Sequence, residues 1–297
     1  MSRSFPLLTA LGLCLALAVP ATALAEKPVV KLVEAGSGKK APLRHAPKKG
    51  IKQTMTMGMD MTMAMNMAGQ AMPPQQVPTI TMTMDTEVTE VKGDSFTVSF
   101  SYTDVSVAEG ADPQMVAAMK ESMQGLVGAT GEYTMDAQGF ALGGSMVPAE
   151  GASAQVKDIT ANMERMVSQA TPPFPAEAVG VGAVWTVTTK IENQGMAIDQ
   201  VATYTLKGRT GDVVELGVTL NQSADKQTIK TPQGDAELVS LKGTGTGANR
   251  IDLSKGTVLD GKVSSDTDFV MAIAMGDQKM EASVAMGMGV TMANKDR

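Results

Sequence analysis

Residues 54–67 read Thr-Met-Thr-Met-Gly-Met-Asp-Met-Thr-Met-Ala-Met-Asn-Met, with methionine at every odd position from Met55 to Met67. A period of two puts all seven thioethers on one face of a β-strand, with Thr, Gly, Asp, Ala and Asn on the other. Wound as a helix, the same residues would scatter methionine around the whole cylinder, so the pattern decides for strand despite methionine's helix preference. At about 3.3 Å per residue the stretch would extend roughly 43 Å, long enough that a bend is expected, with Gly58 the candidate position.

The same alternation recurs outward from this strand. Ile80, Met82, Met84 and Val88 share one phase, as do Phe96, Val98, Phe100 and Tyr102 after the turn Lys92-Gly93-Asp94. In the second half Trp185, Val187 and Ile191 alternate, then Met196, Ile198, Tyr204 and Leu206, then Val214, Leu216, Val218 and Leu220, and finally Met280 through Met292. One dry face and one wet face describe an antiparallel sheet. Two segments change period: Asp112-Pro113 starts one with Met115, Met119, Met123 and Leu126 at helical spacing, and Ser153 opens another with Val156, Ile159, Met163 and Met166. The expected fold is mainly β with some α: a curved antiparallel sheet or partial barrel carrying two packed amphipathic helices. Residues 51–297 read as one β-rich domain. A faint internal likeness offers two similar halves, 51–150 and 180–297, joined by a helix and the Pro-rich linker across 151–179.

The chain has 297 residues, 43% hydrophobic, but only 3% are aromatic and 25 are methionine, so its large side chains are mostly thioethers. A net charge of −6 argues against sequence-independent nucleic-acid binding, which needs a positive field. Residues 1–25 carry Arg3, an apolar run from Phe5 to Val19 and small residues at Ala23 and Ala25, the pattern of a secretory signal peptide cleaved after Ala25. Export to a periplasm or cell surface is the expectation. Lipidation at Cys14 is disfavoured by bulky Leu13 before it and by apolar sequence continuing beyond it. Cleavage would remove the only cysteine.

Residues 26–50 read as a flexible basic tail of the mature chain, and the lone histidine, His45, lies within it. With no other histidine and no mature cysteine, Cys-His and Ser-His-Asp catalysis and His-ligated zinc lose their parts. The carboxylates form no recognisable acid/base motif, so no enzyme activity and no cofactor are expected. Ser37-Gly-Lys-Lys40 and Gly243-Thr-Gly-Thr-Gly-Ala248 match fragments of catalytic and phosphate-loop strings without their context, and read as turns.

The strings Pro42-Leu43-Arg44, Lys49-Gly50, the Met-x-Met strand, Val179-Gly-Val-Gly-Ala-Val-Trp185 and Tyr204-Thr-Leu206 together resemble a family of exported bacterial proteins catalogued only as a domain of unknown function. That resemblance implies no chemistry. At the level of fold alone, long antiparallel strands with helices resemble the half-open barrels of envelope lipoprotein carriers, in which helices lid an apolar cavity; fold by itself does not fix function.

Three uses for the methionines compete. They could fill a core, since methionine is unbranched and polarizable, although Val and Ile specify a strand core more sharply. They could line a cavity for apolar ligands such as lipid or a lipoprotein acyl chain, because pliable Met surfaces suit varied partners. They could bind soft Cu(I) or Ag(I). The cavity reading names Met57, Met59, Met61, Met63, Met82, Met84, Met286 and Met288 as the wall, with Trp185 near the rim. Its partners are a lipid or lipoprotein, with no nucleic acid.

Overall fold

The computed structural model describes residues 27–67, 69–108, 113–150, 172–193, 196–231, 234–275 and 278–297. Alternating sequence becomes extended chain almost throughout. The strands are β1 (Val29–Glu34), β2 (Ser37–Ala41), β3 (Lys52–Met67), β4 (Gln70–Ala71), β5 (Gln75–Lys92) and β6 (Ser95–Val107). Helix α1 (Pro113–Gln124) intervenes before β7 (Thr130–Asp136) and β8 (Ala141–Val147). The second half supplies β9 (Val179–Val181), β10 (Val184–Asn193), β11 (Met196–Thr210), β12 (Val213–Ala224), β13 (Gln227–Thr231), β14 (Gly234–Asp252), β15 (Thr257–Met275) and β16 (Gln278–Asp296).

Twelve of these lie side by side in one open antiparallel sheet ordered β1-β10-β11-β12-β14-β15-β16-β3-β5-β6-β7-β8, with β13 on β14 and β4 on β3; β2 and β9 pair separately. Apart from β1, which pairs with β10 at one edge, strands from residues 52–147 make one half of the sheet and strands from 184–296 the other, and β16 joins them by pairing with β3 from Gln53 to Met67. The sheet curls, because Gly256, in the β14–β15 turn, reaches Phe96 of β6 so closely that a Cβ there would lie 2.9 Å from the ring. Four strands separate β14 from β6 in the sheet.

The expected mainly β, antiparallel class holds, and the helix expected after Pro113 is present. It lays Met119, Met123 and the adjoining Leu126 on a cluster with Ile80, Met82, Met84, Phe100 and Tyr102. The described residues contain this one helix rather than two; the helix expected from Ser153 lies outside them. Next to Gly58, where a bend was expected, the register of β3 and β5 shifts. Met59 pairs with Ile80 but Met61 with Val77, so β5 carries the extra residue at Pro78–Thr79 opposite Asp60. Proline has no N–H to give the ladder, which makes it a natural bulge site.

Residues 42–50 are not a flexible tail. From Val29 the segment is built into the fold: β1 pairs with β10, then Pro42–Gly50 crosses the end of the curled sheet. Its backbone bonds to four separate places: His45 N–H to Ala137 O (2.7 Å), Ala46 N–H to Leu253 O (2.7 Å), Gly50 N–H to Val88 O (2.8 Å), and Pro42 O from Arg209 (3.3 Å). Pro172–Pro175 crosses alongside, with Phe174 N–H bonded to Gln138 O and the Arg44 guanidinium donating to Pro175 O and Ala176 O. Together they plug one end. Leu43, Phe174 and Trp185 are fully buried there, against Leu206, Val214, Leu216, Ile251 and Val258.

Candidate functional site

In an antiparallel pair, directly opposed residues share a face, so the register alone defines the inner wall. Across β16 and β3 it sets Met292 opposite Met57, Val290 opposite Met59, Met288 opposite Met61 and Met286 opposite Met63. Across β3 and β5 it sets Met55 opposite Met84 and Met57 opposite Met82. The eight methionines expected on one wall thus do lie on one face of three adjacent strands.

Their environments divide. Met82 and Met84 are buried, and half-buried Met55, Met57 and Met59 pack against the same cluster as Met119 and Met123 of α1. Met61, Met63 and Met286 are half-buried, and Met288 is 37% exposed. None of the four buried apolar clusters among the described residues includes Met61, Met286 or Met288.

The sequence reading missed that the wall is not apolar throughout. Continuing the register sideways, Ser265 stands opposite Met288 and Thr267 opposite Met286, while Gln75 stands opposite Met63. Gln222 donates to Gln200 Oε1 (2.8 Å), and Thr267 donates to Gln222 Oε1 (3.4 Å), making a hydrogen-bonded polar belt on the same face. Below it sits the plugged cluster of Trp185; beyond it Ile229, Leu238 and Leu241 pack with Ile198, Phe269 and Met271. The belt was legible in principle, because Gln200 and Gln222 are in phase with Ala202 and Leu220.

Gly243, Gly245 and Gly247 lie in mid-strand of β14 and not in a turn. They face inward to make room for their neighbours: a Cβ at Gly243 would lie 2.7 Å from Gln222 Oε1, and one at Gly247 would lie 2.8 Å from Val263 Cγ2. Ser37–Lys40 is likewise strand, part of β2.

Trp185, expected near a rim, is wholly buried at the plugged end. Its ring stacks on Tyr204 at 5.6 Å, meets Phe174 edge-on at 6.4 Å, and its Nε1–H donates to Pro173 O at 3.1 Å. His45, expected solvated, is only 3% exposed, between Phe174 (5.0 Å) and Phe96 (5.9 Å). Neither ring nitrogen has a hydrogen-bond partner among the described residues, and burial lowers its pKa to about 4. Tyr102 is similar: burial raises its phenol to about 12, and its hydroxyl has no partner within the Met-lined cluster. A buried unbonded hydroxyl costs about 1–3 kcal/mol, so Tyr102→Phe is expected to leave stability unchanged or raise it by up to ~1 kcal/mol in urea melts; a loss above that would mean the hydroxyl is bonded.

On the outer face, a groove of about 490 Å³ lies across β5 to β8, lined among others by Lys52, Asp85, Glu87, Glu132 and Arg297. Its ion pairs, Lys52–Glu87 at 3.3 Å and Arg297–Asp85 at 2.7 Å, are partly exposed and add little stability. No group of three or more His, Cys, Asp or Glu converges to hold a metal among the described residues. No described helix is long and apolar enough to cross a membrane.

Residues 156–258, which run through β9 to β14, match the model of a family of unknown function (DUF6263). No curated protein matches the chain. Among solved structures, the toluene transporter TodX of P. putida aligns over 85% of this chain and 91% of its own, at 8% identity and a TM-score of 0.21. At that score the superposition carries no argument about fold or function.

Proposed function

We propose that the protein is an exported, non-catalytic carrier or chaperone of the periplasm or cell surface, holding an apolar ligand such as a lipid or a lipoprotein acyl chain against its methionine wall. The observation that carries this is the accessible stretch of half-buried Met61, Met63 and Met286 and exposed Met288, which continues on one face from half-buried Met57 and Met59 and buried Met82 and Met84. A flexible thioether surface adapts to methylene chains of varied shape. The signal-peptide pattern of residues 1–25 supports export, and the lack of a paired acid, base and nucleophile supports a role without catalysis. The second reading is an envelope structural or interaction module whose methionines are core; the burial of Met82 and Met84 in one cluster with Phe100 and Tyr102 favours it.

Native mass spectrometry of protein purified from the envelope is expected to show a bound lipid, and repeated recovery of lipid-free protein would reject the carrier reading. Met61→Asp separates the two. A cooperative melt with lipid lost supports the carrier, whereas loss of the cooperative melt supports the structural module.

A further inference from the structure

We infer that Met61, Met286 and Met288 form a thioether site for a soft monovalent cation, Cu(I) or Ag(I), on the part of the inner wall outside the buried clusters. Three observations converge on it. First, Met61 and Met288 are directly opposite, which places their Cβ atoms about 4.5–5.5 Å apart, and Met286 is two residues along the same face, about 6.6–7 Å away. Three unbranched side chains at those spacings bring three sulfurs to one ion without backbone movement. Second, this trio is reachable. Met288 is 37% exposed, Met61 and Met286 are half-buried, and Ser265 and Thr267 beside them make that edge of the wall polar.

Third, the reverse face is acidic at the same level. Asp60 lies opposite Gly289 and Asp266 opposite Gly287, and a Cβ at Gly287 would lie 3.3 Å from Asp266 Oδ1. The carboxylates sit one sheet thickness behind the sulfurs, where they favour a positive charge without ligating it. Neutral thioethers are soft ligands, so a sulfur-only set selects Cu(I) or Ag(I) over Zn(II), which prefers imidazole and thiolate. Binding involves no redox step: the ion enters and leaves as the monovalent cation.

The test uses the full mature chain, anaerobically, with Cu(I) in competition against a chromophoric Cu(I) chelator, and Ag(I) and Zn(II) titrated separately. The expected result is one equivalent of Cu(I) or Ag(I) bound and no Zn(II). In Met61→Leu/Met288→Leu, which removes sulfur while conserving volume and apolarity, Cu(I) affinity is expected to fall by at least about 10–100-fold, the loss typical of removing even a supporting group around a metal. Wild type that fails to compete with the chelator overturns the site, as does a double variant that binds equally well. In wild-type protein, lipid recovery with no Cu(I) uptake rejects this inference alone, and Cu(I) uptake by lipid-free protein rejects the carrier alone.

Discussion

Trp185→Ala is expected to lower stability by about 3–5 kcal/mol, the usual cost of truncating a buried Trp or Phe. Whole domains are stable by only about 5–15 kcal/mol, so the variant should sit near the edge of unfolding at ambient temperature. The size follows from what the ring touches. It is fully buried, stacks on Tyr204 and meets Phe174, and its Nε1–H satisfies the carbonyl of Pro173. Truncation leaves a void at the junction of β10, β11 and the Pro172–Pro175 segment, together with an unpaired carbonyl. Urea melts should show a lower midpoint at unchanged slope. Trp185→Phe restores most of the ring contact but not the hydrogen bond, so its loss should be clearly smaller. A loss under about 1 kcal/mol for the alanine variant would show that the plugged end is not the stability centre.

Acid is expected to weaken the same end through His45. Unfolded, the imidazole takes a proton near pH 6.5; folded, burial holds that step at about 4. Between those values the unfolded chain binds the extra proton, so stability is complete above pH 6.5, falls as pH drops toward 4, and changes no further on this account below it. The loss amounts to ~3 kcal/mol. Charged neighbours do not offset it. The Asp136 carboxylate accepts from Gln138 and Phe140 N–H, the Asp252 carboxylate accepts from Ser254, and Arg44 donates to Leu43 O and to the carbonyls of Pro175 and Ala176. Desolvation alone accounts for the shift. His45→Phe, which keeps a ring between Phe96 and Phe174, should flatten the stability profile between pH 6.5 and 4. If wild type and variant lose stability in parallel across that window, the histidine is not the sensor.

The strand faces were plain in the sequence because period two is a local property that packing only confirms. Ile80, Met82, Met84 and Val88, and Phe96, Val98, Phe100 and Tyr102, are buried as read. The shared methionine wall was legible as a set of faces; its division was not, since tertiary packing draws Met57 against the cluster of Met82 and Met84 but leaves Met288 exposed. Pro42–Gly50 was misread on composition. Basic residues suggested solvent, yet Leu43, His45 and Pro47 alternate as buried residues while Pro42, Ala46 and Lys48 stay outside. The alternation was there, hidden by Arg44 and Lys48 on its wetter phase. Trp185 was placed at a rim because nothing local says which end of a strand will be plugged.

The pairing of β16 with β3 also sets an order in time. Gln53 and Asp296, whose side chains bond, are 243 residues apart, and the partner strand is the last 19-residue element of the chain. During synthesis, β3 can pair with β5 almost at once, but its other edge stays open until β16 has been made. An open strand edge invites pairing with the wrong chain, most of all when it is rich in β-branched or aromatic residues. Methionine is neither, so a strand of alternating methionines is a less adhesive edge during that wait, and it becomes a wall only once β16 arrives.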